Sequence, residues 1–122
     1  MGLLYFADGN GANLTKEAYV VDGSALACVV PVTTTTTAAY FTRTDSTRDK
    51  IVFTHDNKTT TSGHRCRQIA EALTKAANAH MAKGTMIDIA DLDNSKFFMN
   101  LSFISGLVVH LNTTETNTTI IR

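Results

Sequence analysis

His55, His64 and Cys66 lie close together in the chain and carry the side chains best suited to metal ligation or proton transfer. A zinc site needs four ligands at workable spacing, and no fourth stands at one here. Asp88, Asp91, Asp93 and Asn94 gather oxygen ligands, and Asp91-x-Asp93-x-Ser95 has part of a calcium-loop pattern. The central glycine and the terminal bidentate glutamate of such a loop are missing. The run is therefore expected to be a turn in which Asp and Asn hydrogen-bond their own backbone. Gly9-x-Gly11 begins like a dinucleotide fingerprint, yet Leu14 occupies the third glycine's place and no parallel βαβ unit follows. Ser24 lacks the nucleophile-elbow pattern. No catalytic, cofactor-binding or metal-binding residue is expected, and the protein is read as a non-enzyme.

A second set, Arg43, Arg48, Lys50, Arg65 and Arg67, stands near Tyr40, Phe41 and Phe53. Clustered on one face, these could hold a single strand of nucleic acid by charge and stacking. Eleven Lys plus Arg balance eleven Asp plus Glu, for a net charge of zero. That argues against broad binding to a phosphate backbone, so nucleic acid is not an expected partner. It also leaves little electrostatic resistance to self-association. A metal-dependent enzyme would need His55, His64 and Asp side chains to converge in a pocket. Cys28 and Cys66 form no C-x-x-C motif and are read as small buried apolar residues.

The elements that must position these residues are mostly strands. Threonine fills 20 of the 122 positions, including the run Thr33 to Thr37 and much of the Thr113 to Thr119 segment. A β-branched, uncharged, hydrogen-bonding side chain suits a pleated surface that is half exposed or pressed against another protein. Leu3 to Phe6 reads as a strand ended by the Asp8-Gly9-Asn10-Gly11 turn cluster. Ala18 to Val21 and Ala25 to Val32 are further strands, the latter fraying or lying at a sheet edge near its end because Pro31 cannot donate to a ladder. Ala38 to Thr42 and Lys50 to His55 form an antiparallel hairpin. Cys66, Ile69, Leu73, Ala76, Ala77 and His80 recur at helical spacing, with Glu71 four before Lys75 on another face. Thr61 or Ser62 would cap this helix and Gly84 would end it, giving roughly 30 Å. Met86 to Ala90 resembles a strand. Phe97, Met99, Leu101 and Phe103 then alternate as in another, and Leu107 to Leu111 is the last.

This order predicts an α+β domain, a mainly antiparallel sheet or sandwich with one long amphipathic helix packed on it. Residues 1–112 would form the domain and residues 113–122 a Thr/Asn-rich arm. No apolar run reaches membrane-span length, and Met1 to Ala7 lacks the basic lead of a signal peptide, so synthesis in a cytoplasm is expected.

The helix segment Ile69-Ala70-Glu71-Ala72-Leu73, the following Ile87-Asp88-Ile89-Ala90-Asp91-Leu92-Asp93-Asn94-Ser95 and the opening Leu4-Tyr5-Phe6-Ala7-Asp8-Gly9 resemble small proteins encoded by marine tailed bacteriophages, including cyanophages. The resemblance implies a virion structural role and brings no catalytic residues. Together with the Thr-rich surface it gives the expectation of a capsid decoration or cement protein. Such a protein would be a homo-oligomer, a trimer among the candidate forms, bound to the major capsid protein or another virion protein at the capsid surface. The candidate assembly contacts are Leu3, Leu4, Tyr5, Phe6, Thr113, Thr114, Thr118, Thr119, Ile120 and Ile121. A small phage-encoded nucleic-acid-binding accessory protein is the alternative.

Overall fold

The computed structural model describes residues 3–8, 18–43, 47–57, 59–60, 63–79 and 86–113. In chain order the elements are β1 (Leu3–Ala7), β2 (Ala18–Asp22), β3 (Leu26–Thr33), β4 (Thr36–Thr42), β5 (Arg48–Thr54), β6 (Thr59–Thr60), β7 (Gly63–His64), α1 (Arg65–Ala77), β8 (Met86–Asp91), β9 (Lys96–Phe97) and β10 (Gly106–Thr113). Single 3₁₀ turns stand at Gly23–Ala25 and Leu101–Phe103. One sheet has the order β2-β1-β8-β9 and the other β10-β5-β4-β3, while β6 and β7 form a small hairpin. All pairs are antiparallel except β1 with β8. The fold is α+β, two antiparallel-dominated sheets with one helix packed on them.

The two sheets share one core. Leu4, Phe6, Ile87 and Ile89 come from the first sheet, and Ala39, Phe41, Ile51, Phe53, Leu107 and Val109 from the second. Phe6 is the hinge of this packing: its ring lies 5.8 Å from Phe41, edge to face, and 6.0 Å from Phe53. Tilted and edge-on aromatic pairs add about 0.5–1.5 kcal/mol beyond the area they bury. β4 is buried on both faces, since Ala38 and Tyr40 point away from that core into a second apolar cluster with Val30.

Helix α1 turns Ile69, Ala72, Leu73, Ala76 and Ala77 inward against β3, β4 and β8. Its alanines let the helix approach the 3₁₀ turn at Gly23 closely. A Cβ on Gly23 would stand 2.9 Å from Ala77 Cα and 3.2 Å from its carbonyl oxygen, neither of which can swing aside. Gly23→Ala is therefore expected to cost about 1–3 kcal/mol by overpacking. Chemical denaturation would show this as a lower midpoint at unchanged slope.

Several expectations are corrected. α1 has 13 residues, about 20 Å at 1.5 Å per residue rather than roughly 30 Å. It ends because Asn78 folds back, its Nδ2 donating to the Thr74 carbonyl at 3.0 Å, which competes with another helical turn. His64 occupies the N-cap position without a side-chain bond, and Asn78 rather than Gly84 takes the C-cap; Thr61, Ser62, His80 and Gly84 lie outside the described residues. Glu71 pairs with Arg67, the turn before it. The Phe97 to Phe103 alternation is no strand beyond Phe97. Ser95 and Met99 take left-handed φ angles of 55° and 53°, which break an extended run, and Leu101–Phe103 curls into a 3₁₀ turn. The Thr33 to Thr37 run is not continuous sheet surface either. Thr34 and Thr35 form the turn between β3 and β4, where the Thr33 and Thr36 hydroxyls meet at 2.7 Å.

Candidate interaction surfaces and an adjoining cleft

The first four candidate assembly contacts fall within the domain itself. β1 is paired on both sides, by β2 and by β8, and Leu4 and Phe6 are fully buried. Leu3 and Tyr5 are half-buried on the same central strand. This segment is a core strand, not an arm free to pair with a neighbour, because its apolar side chains find their partners across the two sheets. Thr113 closes β10 opposite Arg48. Thr114, Thr118, Thr119, Ile120 and Ile121 lie outside the described residues.

The ends of the second sheet lie elsewhere. Among the described residues β3 and β10 each pair on one side only, at opposite ends of the second sheet. Neither Leu26–Thr33 nor Gly106–Thr113 contains Lys, Arg, Asp or Glu. Of the exposed large apolar side chains among the described residues, Val32 is 50 % exposed on β3, Val108 50 % and Leu111 46 % on β10, and Val20 44 % on β2, while Met86 and Met99, each 50 % exposed, lie off the edge strands. Natural edge strands are usually blunted by charge, proline or bulges; among the described residues β3 has Pro31 and register shifts at Leu26/Cys28 and Pro31/Thr33, and β10 a register shift at His110/Thr113.

Three of the five residues of the basic set are paired with carboxylates. Arg43 reaches Asp49 at 3.0 Å, Arg65 holds Asp56 through two bonds of 2.9 and 3.3 Å, and Arg67 lies 3.5 Å from Glu71. Each of these three guanidiniums thus faces a carboxylate. Tyr40, Phe41 and Phe53 are buried and offer no stacking platform to a base. Asp49 also accepts from the Tyr19 hydroxyl. Partial burial, then that bond and the carboxylate's charge, push the Tyr19 phenol far above its ordinary range.

The Asp-rich segment is a closed turn. Asp91 Oδ1 accepts from the backbone N–H groups of Asp93 and Asn94, and Oδ2 accepts from Asn94 Nδ2 at 3.0 Å. Three donors thus occupy the one carboxylate that the turn buries. Among the described residues no group of three or more His, Cys, Asp or Glu is arranged to hold a metal ion. No described helix is long and apolar enough to cross a membrane.

Beside the β3 edge a cleft of about 700 Å³ opens between the β3–β4 turn and the start of α1. Pro31, Val32 and Ala70 give it an apolar wall. Thr37, His55 and Cys66 also line it, brought together by the β4–β5 hairpin and the first turn of the helix. His55 is 5 % exposed and Thr37 fully buried. His55 Nδ1 lies 2.6 Å from the Asp56 carbonyl oxygen and Nε2 lies 2.8 Å from Thr37 Oγ1. A carbonyl only accepts, so Nδ1 carries the hydrogen, and Nε2 of the neutral ring accepts from the Thr37 hydroxyl. Partial burial raises the Cys66 thiol above its ordinary value. Arg65 braces the site from behind, its guanidinium 4.2 Å from the centre of the Phe103 ring, which meets His55 edge-on at 6.3 Å.

His55 and Cys66 were expected as failed zinc ligands and as a packed thiol. They converge with Thr37, which no motif singled out. The only signal for Thr37 was its place in a buried strand directly before a hairpin that returns at His55. No family model, curated protein or solved structure gives a significant match to this chain.

Proposed function

We propose that this chain is a non-enzymatic structural protein of a bacteriophage virion, a capsid decoration or cement protein that assembles with copies of itself and clamps neighbouring capsid subunits. The observation that carries the reading is that, among the described residues, β3 and β10 stand at opposite ends of the second sheet, each paired with one strand and each without Lys, Arg, Asp or Glu. An exposed edge offers a row of backbone donors and acceptors, and a neighbour's strand satisfies them by β-augmentation. Val32 on one edge and Val108 and Leu111 on the other supply apolar contact beside those bonds. Because the two edges are different surfaces, edge-to-edge joining of copies is head to tail, and it closes into a ring when the rotation permits. The zero net charge adds no long-range repulsion between copies. The likeness to marine phage proteins points to the virion as the setting, with the major capsid protein as partner and the capsid surface as the site of action.

Mass spectrometry of gradient-purified particles tests the setting. The protein is expected in them at a simple ratio to the major capsid protein. Its absence from particles, with abundance in the lysate that produced them, would contradict the proposal.

A further inference from the structure

The outer side of α1 carries an arrangement that neither folding nor the sheet ends account for. Beyond the cleft at the β3–β4 turn lies a second hollow of about 460 Å³, bordered by Glu71, Thr74, Lys75 and Met99. Arg67 and Ala70 line both, so the two form one groove along the helix. From Arg65 to Lys75 it runs about 15 Å at 1.5 Å per residue. Its charge goes against what a helix prefers. The N-terminal end of a helix is its positive end and favours acidic residues, yet the first turn of α1 holds none and begins Arg65-Cys66-Arg67. Arg65, Arg67 and Lys75 stand along the groove against two carboxylates, Asp56 and Glu71. Two bonds commit Arg65 to Asp56. Arg67 is held less firmly: its side chain is 67 % exposed and meets an exposed Glu71 at 3.5 Å, a surface pair that an arriving carboxylate can replace at little cost. Met99 at the far end is half exposed on a left-handed backbone, φ 53°, and lies outside the core clusters. An unbranched thioether held there at a conformational cost offers an adaptable apolar contact.

We propose that this groove binds a short extended segment of a partner protein in which one acidic side chain stands between two aliphatic ones. Extended backbone sends alternate side chains to one face, so about five residues span the groove and turn the first, third and fifth side chains into it. One aliphatic side chain fills the hollow walled by Pro31, Val32 and Ala70, the carboxylate meets Arg67, and the other aliphatic side chain lies on Met99. The zero net charge of the chain and the burial of Tyr40, Phe41 and Phe53 favour a peptide over nucleic acid as the occupant. This deepens the reading above and rests on it for the existence of a partner other than a copy, to which it gives a surface along α1. Peptide binding is measured on the isolated protein, so absence from particles and failure of the groove are separate results.

The probe is the pentapeptide Leu-Thr-Glu-Thr-Leu, acetylated, amidated and carrying a net-neutral rhodamine, with Leu-Thr-Lys-Thr-Leu as its charge-reversed twin. Fluorescence anisotropy with the full chain should show saturable binding of the glutamate peptide. The lysine peptide is expected to bind at least about tenfold more weakly, the usual weight of a charge-assisted hydrogen bond. Arg67→Glu should reverse that order, which an arginine with a structural role alone would not do. Met99→Gly relieves the left-handed backbone, so the melting temperature should hold or rise while affinity for the glutamate peptide falls several-fold. Circular dichroism confirms that each variant is folded, and the peptide twins on the parent chain decide the matter if Arg67→Glu is not. No saturable binding below about 1 mM, equal affinity for the twins, or an unchanged order in a folded Arg67→Glu would overturn the proposal. So would displacement of the peptide by oligothymidylate at a lower concentration than by unlabelled peptide, which would make the groove a nucleic-acid site.

Discussion

Substituting Leu73 with aspartate is expected to leave a chain with no cooperative thermal transition. Leu73 is fully buried on the inward stripe of α1, beside Ile69 and Ala76 in the core shared by both sheets. Removing a buried leucine side chain costs about 2–5 kcal/mol from lost transfer energy and the cavity left behind. A carboxylate in its place must also be neutralised or desolvated without a partner, at a cost of several kcal/mol more. A domain of this size is stable by about 5–15 kcal/mol, so the sum consumes most or all of it. Leu73→Ala should keep a transition at a lower midpoint, which separates the buried charge from the missing volume. An unchanged melting curve for Leu73→Asp would mean that α1 is not seated on the sheets as described.

The second large effect concerns association rather than folding. Lysine at Val32 on β3 together with lysine at Val108 on β10 is expected to abolish self-association and leave the melting temperature nearly unchanged. Both positions are half exposed, where substitutions usually shift stability by no more than about 0.5 kcal/mol. A Lys on an edge strand must be desolvated when another strand is laid against it, which is how natural sheets block edge pairing. Sedimentation velocity should show a discrete oligomer for the parent chain and a monomer for the double variant. An oligomer that survives both lysines would move the interface away from these edges.

Parts of this arrangement were legible in the chain because local pattern and tertiary burial agree there. The three- and four-residue spacing of Ile69, Leu73 and Ala76 marks the buried stripe directly, and of the two readings Pro31 allowed, a frayed end or a sheet edge, β3 takes the second among the described residues. The N-terminal strand was misplaced because a short apolar run looks the same whether it is central or peripheral. Only the pairing of β1 with both β2 and β8 decides that, and the parallel partner lies far away in the sequence. The alternation through Phe97, Met99, Leu101 and Phe103 misled for a different reason. Apolar residues anchoring an irregular segment to the core can alternate by chance, and nothing local foretells a left-handed Met99. The cleft was the least legible feature. Thr37, His55 and Cys66 share no motif, and their meeting depends on the register of the β4–β5 hairpin and on where α1 begins.

The central claim, that the open edges of the second sheet are where this protein meets its neighbours, is tested most directly by amide hydrogen exchange. In an isolated subunit the outward-facing N–H groups of an edge strand exchange readily, because no partner strand protects them. The assembled protein, compared with the monomeric double-lysine variant, is predicted to gain protection within Leu26–Thr33 and Gly106–Thr113 and little on β1, already paired on both sides. Equal exchange of both edge strands in the assembled and monomeric states would contradict the account.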